Sequence, residues 1–198
     1  MILVLSFSSL CPVAIAADDD VDVLDLRLDE NIATPEVPKK AKQYVHTAMD
    51  HLRRHLNKNG MNAVFARDGE VLEITIPASE LFATGSLELK TNAKTKFQAL
   101  GVVLREPLKY KVLLAVHTDD TGDNQYADSI SAARANAIDD CFWEIAGQKD
   151  TNVIPYGIGK DEPIDANTSR NGRAKNRRVE IFIVPERGLL ELAGVKFK

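Results

Sequence analysis

The chain has 198 residues, 44% of them hydrophobic, and a formal net charge of −4 at pH 7. This length allows one ordinary domain with a real hydrophobic core, together with additional segments. The two cysteines stand at positions 11 and 141. Because the first lies in a segment that we expect to be removed, an internal disulfide is excluded.

The first 16 residues, MILVLSFSSLCPVAIA, carry no charge and end in Ala-Ile-Ala. An apolar run followed by a small-x-small site predicts a secretory signal peptide over residues 1–16, cleaved after Ala16. The run is too short for a membrane span of about 20 residues. Lipoprotein anchoring would use Cys11, but bulky Leu10 stands where lipoprotein signals carry a small residue, so plain cleavage is favoured.

Residues 17–37 form an acidic segment. Between positions 17 and 36 the chain carries eight Asp or Glu and one arginine, a balance of −7. Because the whole chain carries −4, the remainder carries +3. We interpret residues 17–37 as a solvated, disordered linker in front of a mildly basic domain; docking to a basic partner is the alternative.

The next segments show first a helical and then a strand pattern. Residues 38–60 contain an N-terminal helix, because apolar residues recur at helical spacing and Asn59-Gly60 ends the pattern. One apolar stripe indicates that this helix packs against the domain that follows. Residues 70–77 alternate apolar and polar, as a half-exposed strand does, and a second helix is predicted over 93–104.

Residues 110–117, YKVLLAVH, are apolar on both faces, which is typical of a central strand covered on each side. The longest amphipathic helix follows at 124–147, then a short strand near 153–156 and a last strand at 179–184. This order predicts an α+β fold, an α/β sandwich. In it a mixed β-α-β-α-β-β sheet carries helices on one face and is preceded by the extra N-terminal helix.

Arg134 is the most informative charged residue. It shares one side of its predicted helix with Ile130, Ile138 and Phe142, each four positions apart. Such a row is expected to be buried, and an unpaired buried guanidinium costs several kcal/mol, so Arg134 must find an anion. Asp119, just past the central strand, is the obvious candidate. The two residues either satisfy each other or other protein groups, or they hold a ligand together.

Three phrases in this region resemble the OmpA-like (OmpA/MotB/Pal) peptidoglycan-binding domain. They are HTDDTG at 117–122, SAARANAIDD at 131–140 and NTSRNGRAKNRRVEIFIV at 167–184. Asp119 and Arg134 are 15 positions apart, as the corresponding acid and arginine of that family are. The resemblance implies that this pair holds the diaminopimelate of the peptidoglycan stem peptide.

The resemblance implies two further binding residues. Thr118 matches the family's threonine before the acid, and Arg177 matches an arginine that points toward the stem peptide, whereas Arg173 and Arg178 match structural positions. The distal end of diaminopimelate carries an ammonium and a carboxylate on one carbon, which an acid and a guanidinium complement. The expected peptidoglycan-binding residues are Asp119, Arg134, Thr118 and Arg177.

One position departs from the family pattern. The family usually has an Asn seven residues before the helix arginine, where it bonds the ligand, and here that position is Ala127. Either Asn124, Gln125 or Asp128 replaces it, or the affinity is lower. The segment IPASELFATGSLELK at 76–90 resembles the MotB-type variant of the first strand and loop, which implies that Thr84 or Ser86 lies near the ligand.

The resemblance covers about residues 70–185. We place the domain at 61–185, followed by a C-terminal tail, 186–198, whose structure the sequence does not predict. His51 and His55 are four positions apart but have no evident third metal ligand, and no nucleophile elbow or HExxH motif is present. We therefore expect no metal, no cofactor, no catalytic residue and, behind an export signal, no nucleic-acid partner.

We interpret the chain as an exported, non-enzymatic module that binds peptidoglycan noncovalently and anchors or organises a Gram-negative cell envelope. The expected location is the periplasm, at the cell wall or the inner face of the outer membrane. The alternative is a periplasmic adaptor that recruits an envelope protein through its acidic leader and N-terminal helix. A homodimer is possible under either interpretation and would add avidity for a polymer.

Overall fold

A computed structural model describes residues 26–148 and 151–197. The predicted signal peptide, residues 1–16 with Cys11, and the first part of the acidic segment lie outside the described residues. Within the described ranges, no helix combines the length and the apolar composition that a membrane span requires.

Five strands form one mixed sheet in the described part of the chain, in the spatial order β1-β2-β5-β3-β4. The strands are β1 (Val64–Ala66), β2 (Val71–Pro77), β3 (Tyr110–His117), β4 (Val153–Gly159) and β5 (Arg178–Pro185). The β3–β4 pair is parallel, and the other three pairs are antiparallel. A parallel pair needs a crossover connection, which the long helix between β3 and β4 supplies.

Eight α-helices accompany this sheet in the described ranges. They are α1 (Leu28–Ala33), α2 (Lys42–Lys58), α3 (Ala78–Leu81), α4 (Thr91–Phe97), α5 (Gly101–Leu104), α6 (Asn124–Ala146), α7 (Arg170–Asn176) and α8 (Arg187–Leu192). Short 3₁₀ turns follow β1 and join α4 to α5. The C-terminal tail, which the sequence left unassigned, thus contains α8.

The predicted fold class is confirmed: the domain is an α+β fold with a mixed sheet, packed helices and N-terminal helices. Three details differ. A fifth strand, β1, pairs with β2; α7 lies over residues that were assigned no element; and the helix predicted over 93–104 is divided into α4, a 3₁₀ turn and α5. The three residues of β1 are too few to show an alternating pattern, since Val64 and Phe65 are both exposed.

The main core lies between one face of the sheet and helices α2 to α6 and α8. Val45, Met49 and Leu56 of α2 are fully buried against this face, which confirms that the apolar stripe packs on the domain. Cys141 of α6 is a buried free thiol in the same core.

The second face of the sheet is partly covered by α1, in addition to the helices that pack on the first face as expected. Leu28 and Ile32 of α1 pack against Leu113, Ala115 and Val184, which alternate with the main-core residues along β3 and β5. Because both faces are covered, β3 is buried along almost its whole length, as its continuous apolar sequence predicted.

A buried lysine holds α1 in place. Lys111 of β3 is 1% exposed, and its Nζ donates to Asn31 Oδ1 at 2.5 Å and to the Thr34 carbonyl at 3.0 Å. Asn31 Nδ2 donates to the Tyr156 hydroxyl at 2.7 Å, and that hydroxyl donates to the Leu26 carbonyl at 3.0 Å. The disordered linker expected over 17–37 is therefore wrong for its described part, because a buried ammonium requires the acceptors that this segment supplies.

Replacing Asn31 by Ala should destabilise the domain, because it removes an acceptor from Lys111 while the ammonium stays buried. We expect the free energy of unfolding to fall by about 1–3 kcal/mol in urea denaturation. Asp29→Ala is the matched control in the same helix, since Asp29 makes an exposed ion pair with Arg27. It should change stability by less than about 0.5 kcal/mol. Equal losses in the two variants would contradict the role of Lys111.

Candidate ligand-binding site

A cleft of about 400 Å³ opens at the end of the sheet where β3 finishes. Its apolar walls come from α3 and the start of α6 and include Ala78, Phe82, Ala83, Ala127 and Ile130. Its polar lining includes Thr84, Thr118, Asp119, Thr121, Tyr126, Arg134 and Arg177. The fold thus brings all four residues predicted to bind peptidoglycan into one cleft, although they are spread over 60 positions of the sequence.

Asp119 lies in the turn after β3, and its side chain is 7% exposed. Its Oδ1 accepts a hydrogen bond from the Thr121 backbone N–H at 3.0 Å, and its Oδ2 pairs with Nη1 of Arg177. Burial alone would raise the pKa of Asp119. The hydrogen bonds from Thr121 and the ion pair with Arg177 outweigh burial and hold that pKa below its ordinary value of 3.8. Asp119 is therefore an anion at neutral pH.

Arg134 enters the cleft from α6 and is 7% exposed. Its Nε donates to the Ser86 carbonyl at 3.0 Å, and its guanidinium carbon lies 4.9 Å from the centre of the Phe82 ring, a cation–π contact. Burial lowers the pKa of Arg134, as does the nearby charge of Arg177, whereas Tyr126 acts in the opposite direction. An arginine remains charged throughout the ordinary pH range.

Asp119 and Arg134 do not neutralise each other. The carboxylate of Asp119 pairs with Arg177, and no carboxylate of the described residues lies within 4.0 Å of the Arg134 guanidinium. The geometry excludes mutual neutralisation of the pair, but other protein groups bond both residues: Thr121 and Arg177 bond Asp119. The Ser86 carbonyl and the Phe82 ring contact Arg134. An acid and a guanidinium line the same cleft with Arg134 still able to accept an anion.

Thr118 and Arg177 complete the polar side of the cleft. The Thr118 backbone N–H donates to the Gly159 carbonyl at 2.7 Å, while its Oγ1 is buried without a hydrogen-bond partner among the described residues. Arg177 follows α7, and its carbonyl accepts from Ala78 N–H at 2.9 Å, which ties it to the opposite wall. Its side chain is 42% exposed. The cleft thus offers an unsatisfied hydroxyl and a second, accessible guanidinium.

The N-terminus of α6 is shaped by a turn and a cap. Gly122 has a φ of +89°, a conformation that L side chains rarely adopt. The Asp123 carboxylate accepts from the Tyr126 backbone N–H at 2.8 Å and caps the helix. This local structure fixes the angle at which α6 leaves β3, and so sets the position of Arg134 relative to Asp119.

The missing asparagine has no polar replacement at the positions that the sequence suggested. Ala127 is buried in the cleft wall, whereas Asn124, Gln125 and Asp128 are exposed and do not line the cleft. Tyr126 lines it instead, with 53% of its surface exposed. The row at spacing four that contains Ile130 and Arg134 also contains Tyr126, so extending that row would have found it.

The loop before α4 contains the two residues, Thr84 and Ser86, of which one was expected near the ligand. Thr84 lines the cleft, while Ser86 contributes through its carbonyl, which orients Arg134. The neighbouring arginines bind protein groups: Arg173 donates to the Asn167 carbonyl at 2.6 Å, and Arg178 to Glu180 at 2.5 Å. Phe82, which stacks on Arg134, was not predicted, because an aromatic residue in a loop carries no sequence signal of its partner.

Within residues 26–148 and 151–197, no three His, Cys, Asp or Glu side chains are arranged to hold a metal ion. The fold and the cleft define an α+β domain in which an acid and two arginines surround a ligand-sized space at the end of a central strand. Residues 81–177 match the OmpA family. Over these residues, just under half of the chain, the protein has an OmpA-family domain. Domains of this family bind peptidoglycan and are non-enzymatic. Membership of this family confirms that the domain is not an enzyme.

Curated relatives agree with this assignment. YfiB of Escherichia coli strain K12 is 33% identical over 104 residues, which cover 52% of this chain and 64% of that protein. The outer-membrane lipoprotein YfiB of Pseudomonas aeruginosa is 40% identical over 76 residues, 38% of this chain and 45% of that protein. The peptidoglycan-binding protein ArfA of Mycobacterium tuberculosis is 36% identical over 73 residues, 37% of this chain and 22% of that protein. The chain thus spans less than two thirds of each relative.

Two solved structures share the fold. A MotB-like protein from Desulfovibrio vulgaris superposes with a TM-score of 0.62 at 24% identity, over 73% of this chain and 99% of that one. The cell wall anchor of the T6SS from Pseudomonas aeruginosa superposes with a TM-score of 0.57 at 27% identity, over 68% of this chain and 97% of that one. At 24% identity, the similarity to the MotB-like protein concerns the fold alone.

Replacing Arg177 by Gln should raise the pKa of Asp119, because the cation that stabilises its charged form is lost while burial continues to favour the neutral form. The rise is measurable by ¹³C NMR titration of the carboxyl carbon. Arg170→Gln is the matched control, since Arg170 is exposed at the start of the helix that precedes Arg177 and does not line the cleft. An unchanged pKa in Arg177→Gln would show that the ion pair does not form in solution.

Proposed function

We propose that this domain binds peptidoglycan noncovalently by gripping the zwitterionic end of diaminopimelate in the stem peptide, and thereby anchors the chain at the cell wall in the periplasm. One observation carries the proposal. The buried carboxylate of Asp119 and the buried guanidinium of Arg134 line the same cleft without pairing with each other. A ligand with one ammonium and one carboxylate on the same carbon complements both.

Each polar group of the cleft has a role in this proposal. Asp119 accepts from the ligand's ammonium, and Arg134 donates to its carboxylate in the bidentate geometry that guanidinium groups favour. The unsatisfied hydroxyl of Thr118 supplies a further hydrogen bond. Arg177, half-exposed at the rim, faces the remainder of the stem peptide. The methylene chain of diaminopimelate lies against the apolar wall of Phe82, Ala127 and Ile130.

The family match and the relatives support this assignment at a coarser level. One relative is named as a peptidoglycan-binding protein, and a structure of the same fold is a cell wall anchor. These proteins share the domain and differ from this chain in length, so the shared property that we carry over is wall binding.

We expect the intrinsic affinity to be modest. Each charge-assisted contact contributes about 1.5–3 kcal/mol, and the loss of translational and rotational freedom opposes binding by several kcal/mol. A few such contacts give a dissociation constant between about 1 μM and 1 mM. Ala127 offers no side-chain hydrogen bond, which favours the weaker end. The many stem peptides of one polymer promote rebinding and so increase retention at the wall.

Asp119→Asn and Arg134→Gln should each weaken binding by about 10- to 100-fold, because each removes one charge-assisted contact. The measurement is pull-down with purified sacculi, together with NMR titration by free meso-diaminopimelate. Arg170→Gln, which changes a charge outside the cleft, should bind as the wild type does. Melting curves must accompany the test, since Arg134 also contacts Ser86 and Phe82. Folded variants with wild-type affinity would refute the proposal.

Binding should also depend on pH in a defined direction. The pKa of Asp119 lies below 3.8, so its carboxylate is charged and binding is full at neutral pH. As the pH falls through that depressed pKa, Asp119 takes up a proton and loses its attraction for the ammonium. Affinity for meso-diaminopimelate should therefore hold from neutral pH down to the ordinary carboxyl value of 3.8 and fall only at more acidic pH. Circular dichroism at each pH establishes that the domain is folded, and an affinity that already falls well above pH 3.8 in folded protein would contradict the role of Asp119.

A further inference from the structure

The two arginines of the cleft are held in different ways. Arg134 is 7% exposed, and both the Ser86 carbonyl and the Phe82 ring restrain its guanidinium. The side chain of Arg177 is 42% exposed, and its one ion-pair partner in the described ranges is Asp119. Arg134 is therefore a fixed element of the site, whereas Arg177 can leave its position by rotating into solvent.

Asp119 is already satisfied before any ligand arrives. Thr121 N–H occupies Oδ1, Arg177 occupies Oδ2, and the carboxylate is nearly inaccessible to water. A ligand ammonium that binds Asp119 must therefore compete with the guanidinium for the same oxygen. The contact between Arg177 and Asp119 occupies the place that the proposed function assigns to the ligand.

We propose that Arg177 is an internal placeholder, which the ligand's ammonium displaces from Asp119, and that this exchange selects zwitterionic ligands against simple cations. The inference rests on the proposed function and adds a specificity-determining role for one residue. In the exchange no covalent bond changes: one ion pair opens, the ligand's ammonium takes its place, and the released guanidinium of Arg177 turns to the ligand's carboxylate or to solvent.

The charges of the cleft explain the selection. Asp119 carries one negative charge and the two arginines carry two positive charges, so the empty cleft has a net charge of +1. A ligand with an ammonium alone raises it to +2 and leaves the displaced Arg177 facing Arg134, whose pKa its charge already lowers. A zwitterionic ligand leaves the net charge at +1 and gives Arg177 a carboxylate to bind. The carboxylate of the ligand thus compensates for the Arg177–Asp119 ion pair that the ligand's ammonium breaks.

The test compares two probes that share an ammonium on a methylene chain and differ in whether a carboxylate stands beside it. Free meso-diaminopimelate offers an ammonium and a carboxylate on one carbon, whereas Nα-acetyl-lysine N-methylamide offers an ammonium alone on a similar methylene chain. Both are titrated by NMR against the wild type, Arg177→Gln and the control Arg170→Gln. Melting temperatures of all three proteins establish that they are folded.

In the wild type, diaminopimelate should bind at least about tenfold more tightly than the blocked lysine. In Arg177→Gln the blocked lysine should bind about two- to fivefold more tightly than in the wild type, since it no longer displaces a guanidinium. Diaminopimelate should gain less affinity than the blocked lysine, or lose affinity. The dissociation constant of the blocked lysine divided by that of diaminopimelate should therefore fall. Arg170→Gln should leave the ratio unchanged.

The outcomes separate the two proposals. If the wild type binds neither sacculi nor diaminopimelate, the proposed function fails and this inference fails with it. If the wild type binds diaminopimelate but Arg177→Gln weakens both probes equally or leaves the ratio unchanged, the inference alone is refuted. Should Arg177→Gln not fold, Arg177→Met serves instead: it also removes the charge while keeping a long side chain, and an unchanged ratio in that variant likewise overturns the exchange.

Discussion

Asp119 stands where the central strand ends, and its nearly buried carboxylate organises the groups around it. Burial favours the neutral acid, so the charged form persists because Thr121 and Arg177 supply a hydrogen bond and a cation. The same arrangement draws Arg177 of the loop after α7 into the cleft that α3 and α6 form. A single buried charge therefore connects elements that are distant in sequence, and it creates the site that we assign to the ligand.

A second buried charge organises the opposite face of the sheet. Lys111 lies at the start of the same strand, and its ammonium is satisfied by Asn31 and Thr34 of the segment that precedes α2. The strand is thus flanked by an acid at one end and a lysine at the other, each requiring partners from outside the sheet. These partners determine which segments cover the sheet, while the apolar contacts supply most of the stabilisation.

Position 127, where the resemblance implied an asparagine, has no side-chain amide, and the structure gives that absence a physical meaning. Ala127 contributes a methyl group to the wall, and Tyr126 presents its ring from the next position. In the proposed binding mode, recognition therefore relies more on charge and apolar contact than on a side-chain amide. In that binding mode the charges of Asp119, Arg134 and Arg177 largely determine which ligands bind favourably.

The sequence by itself determined the fold class, the central strand, the long helix α6 and the family, because these follow from periodicity and from motifs at fixed spacing. It also identified Asp119, Arg134, Thr118 and Arg177 as the candidate binding residues, through the resemblance. Only the tertiary structure decided that Asp119 pairs with Arg177 instead of Arg134, that Phe82 and Tyr126 line the cleft, and that α1 covers the second face. Those outcomes depend on which side chains meet across elements far apart in the chain, and spacing along one element carries no information about such contacts.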